Sequence, residues 1–60
     1  MDMNEIEGYS GKQVLLKFKS GRTISGIVRG DRAAGFTVKL GVLYIPLTPE
    51  ELVKITPLLG

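Results

Sequence analysis

The residues of this chain that could do chemistry are its cations, which are concentrated in the middle of the sequence. Between residues 11 and 45 a single carboxylate, Asp31, opposes the basic side chains, and the net charge of this segment is +6. The basic residues are Lys12, Lys17, Lys19, Arg22, Arg29, Arg32 and Lys39. Such a segment could bind an anionic polymer such as nucleic acid. Lysines at solvent-facing strand positions also keep β-proteins soluble and blunt their edges, so that interpretation stays open.

The sequence offers little for catalysis. It contains no His and no Cys, which removes the usual nucleophile and base pairs, disulfide frameworks and the common zinc sites. Glu50 and Glu51 are adjacent, so their side chains point apart and do not form a catalytic pair. No Gly-rich phosphate loop leads into a helix. We therefore predict a binding protein, not an enzyme, with no cofactor and no metal.

The length of the chain limits it to one domain. A chain of 60 residues buries only about 60% of the surface that its unfolded form exposes, so its core is marginal and self-association would support it. No apolar run approaches the roughly 20 residues that span a bilayer. The first five residues are acidic where a secretory signal would be basic. These features predict a soluble, cytoplasmic protein that does not enter a membrane.

Alternating apolar residues separated by glycines predict short β-strands. The clearest strand is residues 13–19, where Val14, Leu16 and Phe18 would face a core and the other positions are mostly basic. Further strands are predicted over residues 22–30, 36–40, 42–45 and 52–56. Gly26 lies in the middle of the second strand, which predicts a sharp bend there.

Two short segments have the composition of helical turns. Residues 2–8 contain an acceptor residue followed by Glu and then Gly, which predicts a short N-terminal helix. Residues 48–51 read Thr-Pro-Glu-Glu, the order of a capped turn. Together the elements predict a mainly β fold: a small, strongly bent, five-stranded antiparallel barrel of the SH3-like type over residues 11–57. Residues 1–10 would be a short helix or a tail, and one helical turn would precede the last strand.

The fourth and fifth strands are candidates for an oligomer interface. Residues 42–45 are apolar at every position, so one face could meet the core and the other a neighbouring subunit. Free apolar edges would invite uncontrolled pairing, which a closed oligomer prevents. The predicted interface residues are Val42, Leu43, Tyr44, Ile45, Leu52, Val53 and Ile55. Alternatively, the N-terminal helix or residues 57–60 could cover these edges in a monomer.

Residues 11–30 resemble the opening half of the first Sm motif of Sm, Lsm and Hfq proteins. In both, an alternating strand leads through a turn glycine, here Gly21, to a second strand with a glycine in mid-run, here Gly26. Residues 36–40 are similar to the third strand of the Hfq branch, and the resemblance extends over about residues 11–57. It implies an Sm-like barrel, a homo-oligomeric ring in which the fourth strand pairs with the fifth strand of the next subunit, and a single-stranded RNA ligand.

The positions of the family's RNA pocket differ in this chain. Residues 31–36 read Asp-Arg-Ala-Ala-Gly-Phe where the family has Asp followed by a base-reading residue. Residues 46–47 read Pro-Leu where the family has Arg-Gly or Lys-His. We therefore predict that cations carry any nucleic-acid contact, with one aromatic ring as a candidate for base stacking: Arg29, Arg32, Lys17, Lys19, Lys39 and Phe36. The alternation of Phe36 with Val38 and Leu40 also favours a place in the core. A module that binds only a protein partner is the alternative function.

Overall fold

A computed structural model describes residues 2–58 as one bent antiparallel sheet preceded by a short helix. The elements are α1 (Met3–Glu7), β1 (Gln13–Phe18), β2 (Thr23–Asp31), β3 (Gly35–Leu40), β4 (Leu43–Leu47), a 3-10 turn (Pro49–Glu51) and β5 (Leu52–Pro57). The strand order across the sheet is β4-β3-β2-β1-β5. The predicted mainly β fold with five strands, an N-terminal helix and a helical turn before the last strand is confirmed.

The sheet bends toward a barrel but does not close. The chain crosses from β4 to the far side of the sheet through the 3-10 turn, and β5 pairs with β1 instead of with β4. Strands β4 and β5 are therefore the two free edges. The prediction that residues 57–60 could cover an edge falls partly on residues 59 and 60, which lie outside the described residues.

The core lies on the concave side of the sheet. Alternate residues of β1 and the neighbouring strands point into it, as the sequence pattern predicts. Its buried apolar side chains are Ile6, Val14, Leu16, Val28, Phe36, Val38, Leu47, Leu52 and Ile55. No polar or charged residue among residues 2–58 is buried with them, so apolar burial supplies the stabilisation of this core.

The helix α1 contributes a core side chain and is more than a tail. Ile6 is fully buried. The Asp2 carboxylate caps the helix by accepting a hydrogen bond from the Asn4 amide at 3.0 Å. The 3-10 turn differs from expectation, because the Thr48 side chain makes no capping hydrogen bond. No helix within residues 2–58 is long and apolar enough to cross a membrane.

A glycine in the middle of β2 lets this strand lie close to β3. A Cβ atom at Gly26 would lie 2.7 Å from both the Lys39 carbonyl oxygen and Val38 Cγ1, and 2.9 Å from Leu40 Cδ2. Strands β2 and β3 therefore approach more closely here than a side chain allows. This close approach requires glycine at position 26, the residue from which the sequence predicted a bend.

Candidate nucleic-acid interface

Strand pairing places four cations on the convex side of the sheet, which we call the outer face. Lys17 pairs with Lys54 of β5, and Arg29 pairs with Thr37 of β3. Lys39 pairs with Ile27 on one side and with Tyr44 on the other. The residues flanking Lys17, Arg29 and Lys39 in sequence include the buried Leu16, Val28 and Val38. Because successive strand residues point to opposite faces, the four cations project away from the core.

Hydroxyl and apolar groups fill the positions between these cations. Thr23 pairs with Lys17, and Ser25 and Thr56 both pair with Leu15. The outer face thus presents ammonium and guanidinium groups among hydroxyl donors. Such a surface suits the oxygens of phosphates, because hydrogen bonds from cations to anions are stronger than neutral ones.

Carboxylates are largely absent from the outer face. Of the strand residues, only Asp31 is acidic; it lies at the end of β2, and its Oδ1 accepts a hydrogen bond from the Ala34 amide at 2.7 Å. The other carboxylates of the described residues lie in or beside α1 and in the 3-10 turn: Asp2, Glu5, Glu7, Glu50 and Glu51. No salt bridge joins the side chains of residues 2–58. The positive charge of the outer face is therefore not neutralised by neighbouring side chains.

The two arginines predicted to contact nucleic acid occupy different places. Arg29 is exposed on the outer face. Arg32 lies in the β2–β3 turn, where Nη1 donates a hydrogen bond to Asn4 Oδ1 at 2.6 Å and ties the turn to α1. This bond is exposed, so water or a ligand oxygen could replace the Asn4 acceptor.

Two other predicted contact residues do not join the outer face. Phe36 is only 4% exposed and belongs to the core, so its ring is not available for stacking. Lys19 lies in the β1–β2 turn, where its amide donates to the Glu51 carbonyl oxygen at 2.8 Å. Lys17 and Lys39 do lie on the outer face.

Sequence reasoning missed Lys54. It pairs with Lys17 in the regular register that begins with Val14 and Pro57, and the register shifts only beyond this pair, where Phe18 pairs with Leu52 and Val53 has no partner of its own on β1. That irregularity turns Leu52 inward and leaves Val53 exposed. The alternation of residues 52–56 alone does not reveal it.

A small cleft opens between the β1–β2 turn and the chain that follows β4. Its volume is about 240 Å³, with Phe18, Ile24 and Ile45 as apolar walls and Arg22 and Glu51 among its polar groups. Pockets for drug-sized molecules measure roughly 300–1,000 Å³. The cleft is therefore smaller than a typical site for a drug-sized ligand.

The free edges expose part of the predicted oligomer interface. In and before β4, Val42 is 90% exposed, Leu43 64% and Tyr44 56%, while Val53 on β5 is 52% exposed. Leu52 and Ile55 lie in the core of the single chain and are not offered to a neighbour. Ile45 is half-buried. The exposed residues Val42, Leu43 and Val53 are the part that a second chain could cover, whereas Tyr44 lies beside Lys39 on the outer face.

Comparisons with protein-family models, curated proteins and solved structures found no match to this chain. Within residues 2–58 there is also no group of three or more His, Cys, Asp or Glu side chains that could hold a metal ion.

Proposed function

We propose that this protein is an Sm-like module that binds single-stranded nucleic acid through the outer face of its sheet. The expected ligand is RNA. The observation that carries the proposal is the separation of charge. Lys17, Arg29, Lys39 and Lys54 share one face, whereas the carboxylates lie at its end or elsewhere. A surface of one sign attracts a polyanion and raises its rate of association.

The chemistry of the outer face suits a single strand better than a duplex. Single-stranded recognition combines cations along the backbone with flat side chains on which bases stack. The Tyr44 ring, 56% exposed, lies beside Lys39 in the sheet. The Arg29 guanidinium is a second flat group on the same face. Phosphates would bind the cations, while bases would stack on Tyr44 and Arg29.

A homo-oligomer would join several outer faces into one surface. Both ends of the sheet are free edges with exposed apolar residues, Leu43 on β4 and Val53 on β5. Pairing of β4 with β5 of the next copy would satisfy both edges and extend the sheet. Linked sites bind a long strand more tightly than separate ones, because contact at one raises the effective concentration at the next.

The salt dependence of binding tests this function. We expect a fluorescently labelled single-stranded RNA to bind at low salt and to dissociate steeply as salt is added. In Arg29→Gln and Lys39→Gln, the slope of log affinity against log salt should fall by about 0.7 for each phosphate that is no longer neutralised. Lys12→Gln removes the same charge outside the strands, in the segment before β1, and should leave the slope unchanged. Absence of binding at low salt, or equal effects of all three changes, would contradict the proposal.

A protein-assembly module is the second candidate, favoured by the exposure of Val42 and Leu43. In that case the apolar edges bind a protein strand and the lysines keep the surface soluble. Loss of RNA binding without loss of self-association in Arg29→Gln would still support the first function. An oligomer that ignores RNA at every salt concentration would favour the second.

A further inference from the structure

The outer face contains one pair of cations that oppose each other directly. Lys17 and Lys54 are register partners on β1 and β5, and the row continues to Thr23 on the other side of Lys17. Directly opposed residues in an antiparallel pair have Cβ atoms about 4.5–5.5 Å apart. Their buried neighbours Leu16 and Ile55 are also partners, so both lysines are on the side away from the core.

No side chain of the described part of the protein compensates this pair. Neither lysine forms a salt bridge within residues 2–58. The next row of the outer face holds Ser25, Leu15 and Thr56, which carry no charge. Glu51, the carboxylate that directly precedes β5, lines the cleft with Phe18 and Ile24. Like charges in direct opposition destabilise a sheet, so an anion bound between them would relieve their repulsion.

We propose that Lys17, Lys54 and Thr23 form a binding site for one phosphate group. A phosphate has several acceptor oxygens, so it can accept hydrogen bonds from both ammonium groups and from the Thr23 hydroxyl at once. Lysine suits this role because its ammonium is a compact charge with three donors on a flexible stem. The phosphate could belong to a free compound or to a nucleic-acid backbone. The assignment of this phosphate to a nucleic-acid backbone rests on the proposed function, whereas the phosphate site itself does not.

The first test is a titration of isotope-labelled protein with inorganic phosphate, in which NMR chemical shifts of the backbone amides report binding. We expect saturable shifts centred on Lys17, Thr23 and Lys54. Lys54→Gln removes one charged donor and should lower the phosphate affinity by about tenfold or more. The matched variant Lys12→Gln should retain the response. Shifts spread evenly over all the cations, or a response unchanged in Lys54→Gln, would overturn the site.

A second variant separates binding from folding. Lys54→Glu replaces like charges with an opposite pair, so it should raise the thermal midpoint while abolishing the response to phosphate. Lys12→Glu makes the same change away from the pair and should do neither. A Lys54→Glu protein that is less stable than wild type, or that still binds phosphate, would contradict the inference.

Adding a short single-stranded oligonucleotide identifies the source of the phosphate. Shifts at the three residues with both ligands would assign the site to a nucleic-acid backbone. Shifts with inorganic phosphate but not with the oligonucleotide would support a site for a free phosphate compound. They would count against the proposed function. Shifts with neither would overturn the site, even if RNA binds elsewhere on the outer face.

Discussion

At the scale of single residues, the close approach of β2 and β3 at Gly26 predicts a large effect from one methyl group. In Gly26→Ala the new Cβ would meet the Lys39 carbonyl oxygen and Val38 Cγ1, each 2.7 Å away. The strands would have to separate, and we expect a loss of about 1–3 kcal/mol in the free energy of unfolding, as for other overpacked sites. Urea denaturation, monitored by circular dichroism, measures this loss in the free energy of unfolding.

A second glycine provides the matched control. Gly8 has a helical φ of −62°, and a Cβ there would make only an ordinary contact with the Glu5 carbonyl oxygen at 3.4 Å. Gly8→Ala should therefore be neutral or up to about 1 kcal/mol more stable. Equal midpoints for Gly26→Ala and wild type would show that the bend accepts a side chain.

At the scale of elements, α1 buries one side chain in the core. A helix of five residues is not stable alone, because so few turns cannot offset the cost of nucleation. Ile6 is fully buried in the core. Ile6→Ala should therefore destabilise the whole protein by about 2–5 kcal/mol, and the milder Ile6→Val by about 0.5–1.5 kcal/mol.

Thermal unfolding of these variants decides whether α1 is part of the cooperative fold. Met3 on the same helix is 40% exposed, so Met3→Ala should change stability by less than about 0.5 kcal/mol. If Ile6→Val unfolds at the wild-type midpoint, α1 is an independent appendage. The Arg32–Asn4 hydrogen bond would then be too weak to attach it.

The strands illustrate what the sequence could and could not predict. Alternation identified β1 and its buried Val14 and Leu16, because a strand with one buried face has a period of two. Hydrogen-bond partners across the sheet leave no such local signal. The pairing of Lys17 with Lys54 and the register shift beside Phe18 therefore came only from the structure. The burial of Leu52 and the exposure of Val53 follow from that shift.

At the scale of the whole molecule, the two free edges of the open sheet allow two kinds of assembly. If β4 pairs with β5 of the next copy, the interface is heterologous and uses both edges of every subunit. If β4 pairs with β4 of a second copy, the interface is isologous and ends at a dimer. Leu43 on β4 is 64% exposed and Val53 on β5 is 52% exposed, so each edge has one residue at which a charge can be introduced without disturbing the core.

We expect Leu43→Lys and Val53→Lys each to dissociate the proposed oligomer, because a heterologous interface needs both edges and an ammonium group is costly to bury there without a partner. Sedimentation velocity at matched concentrations measures the mass, and circular dichroism checks that the subunit stays folded. Met3→Lys, at a 40% exposed position on α1, should leave the mass unchanged. Dissociation by Leu43→Lys alone would indicate a β4–β4 dimer. A wild-type protein that is monomeric at high concentration would contradict self-assembly through either edge and would confine the proposed nucleic-acid binding to the outer face of a single subunit.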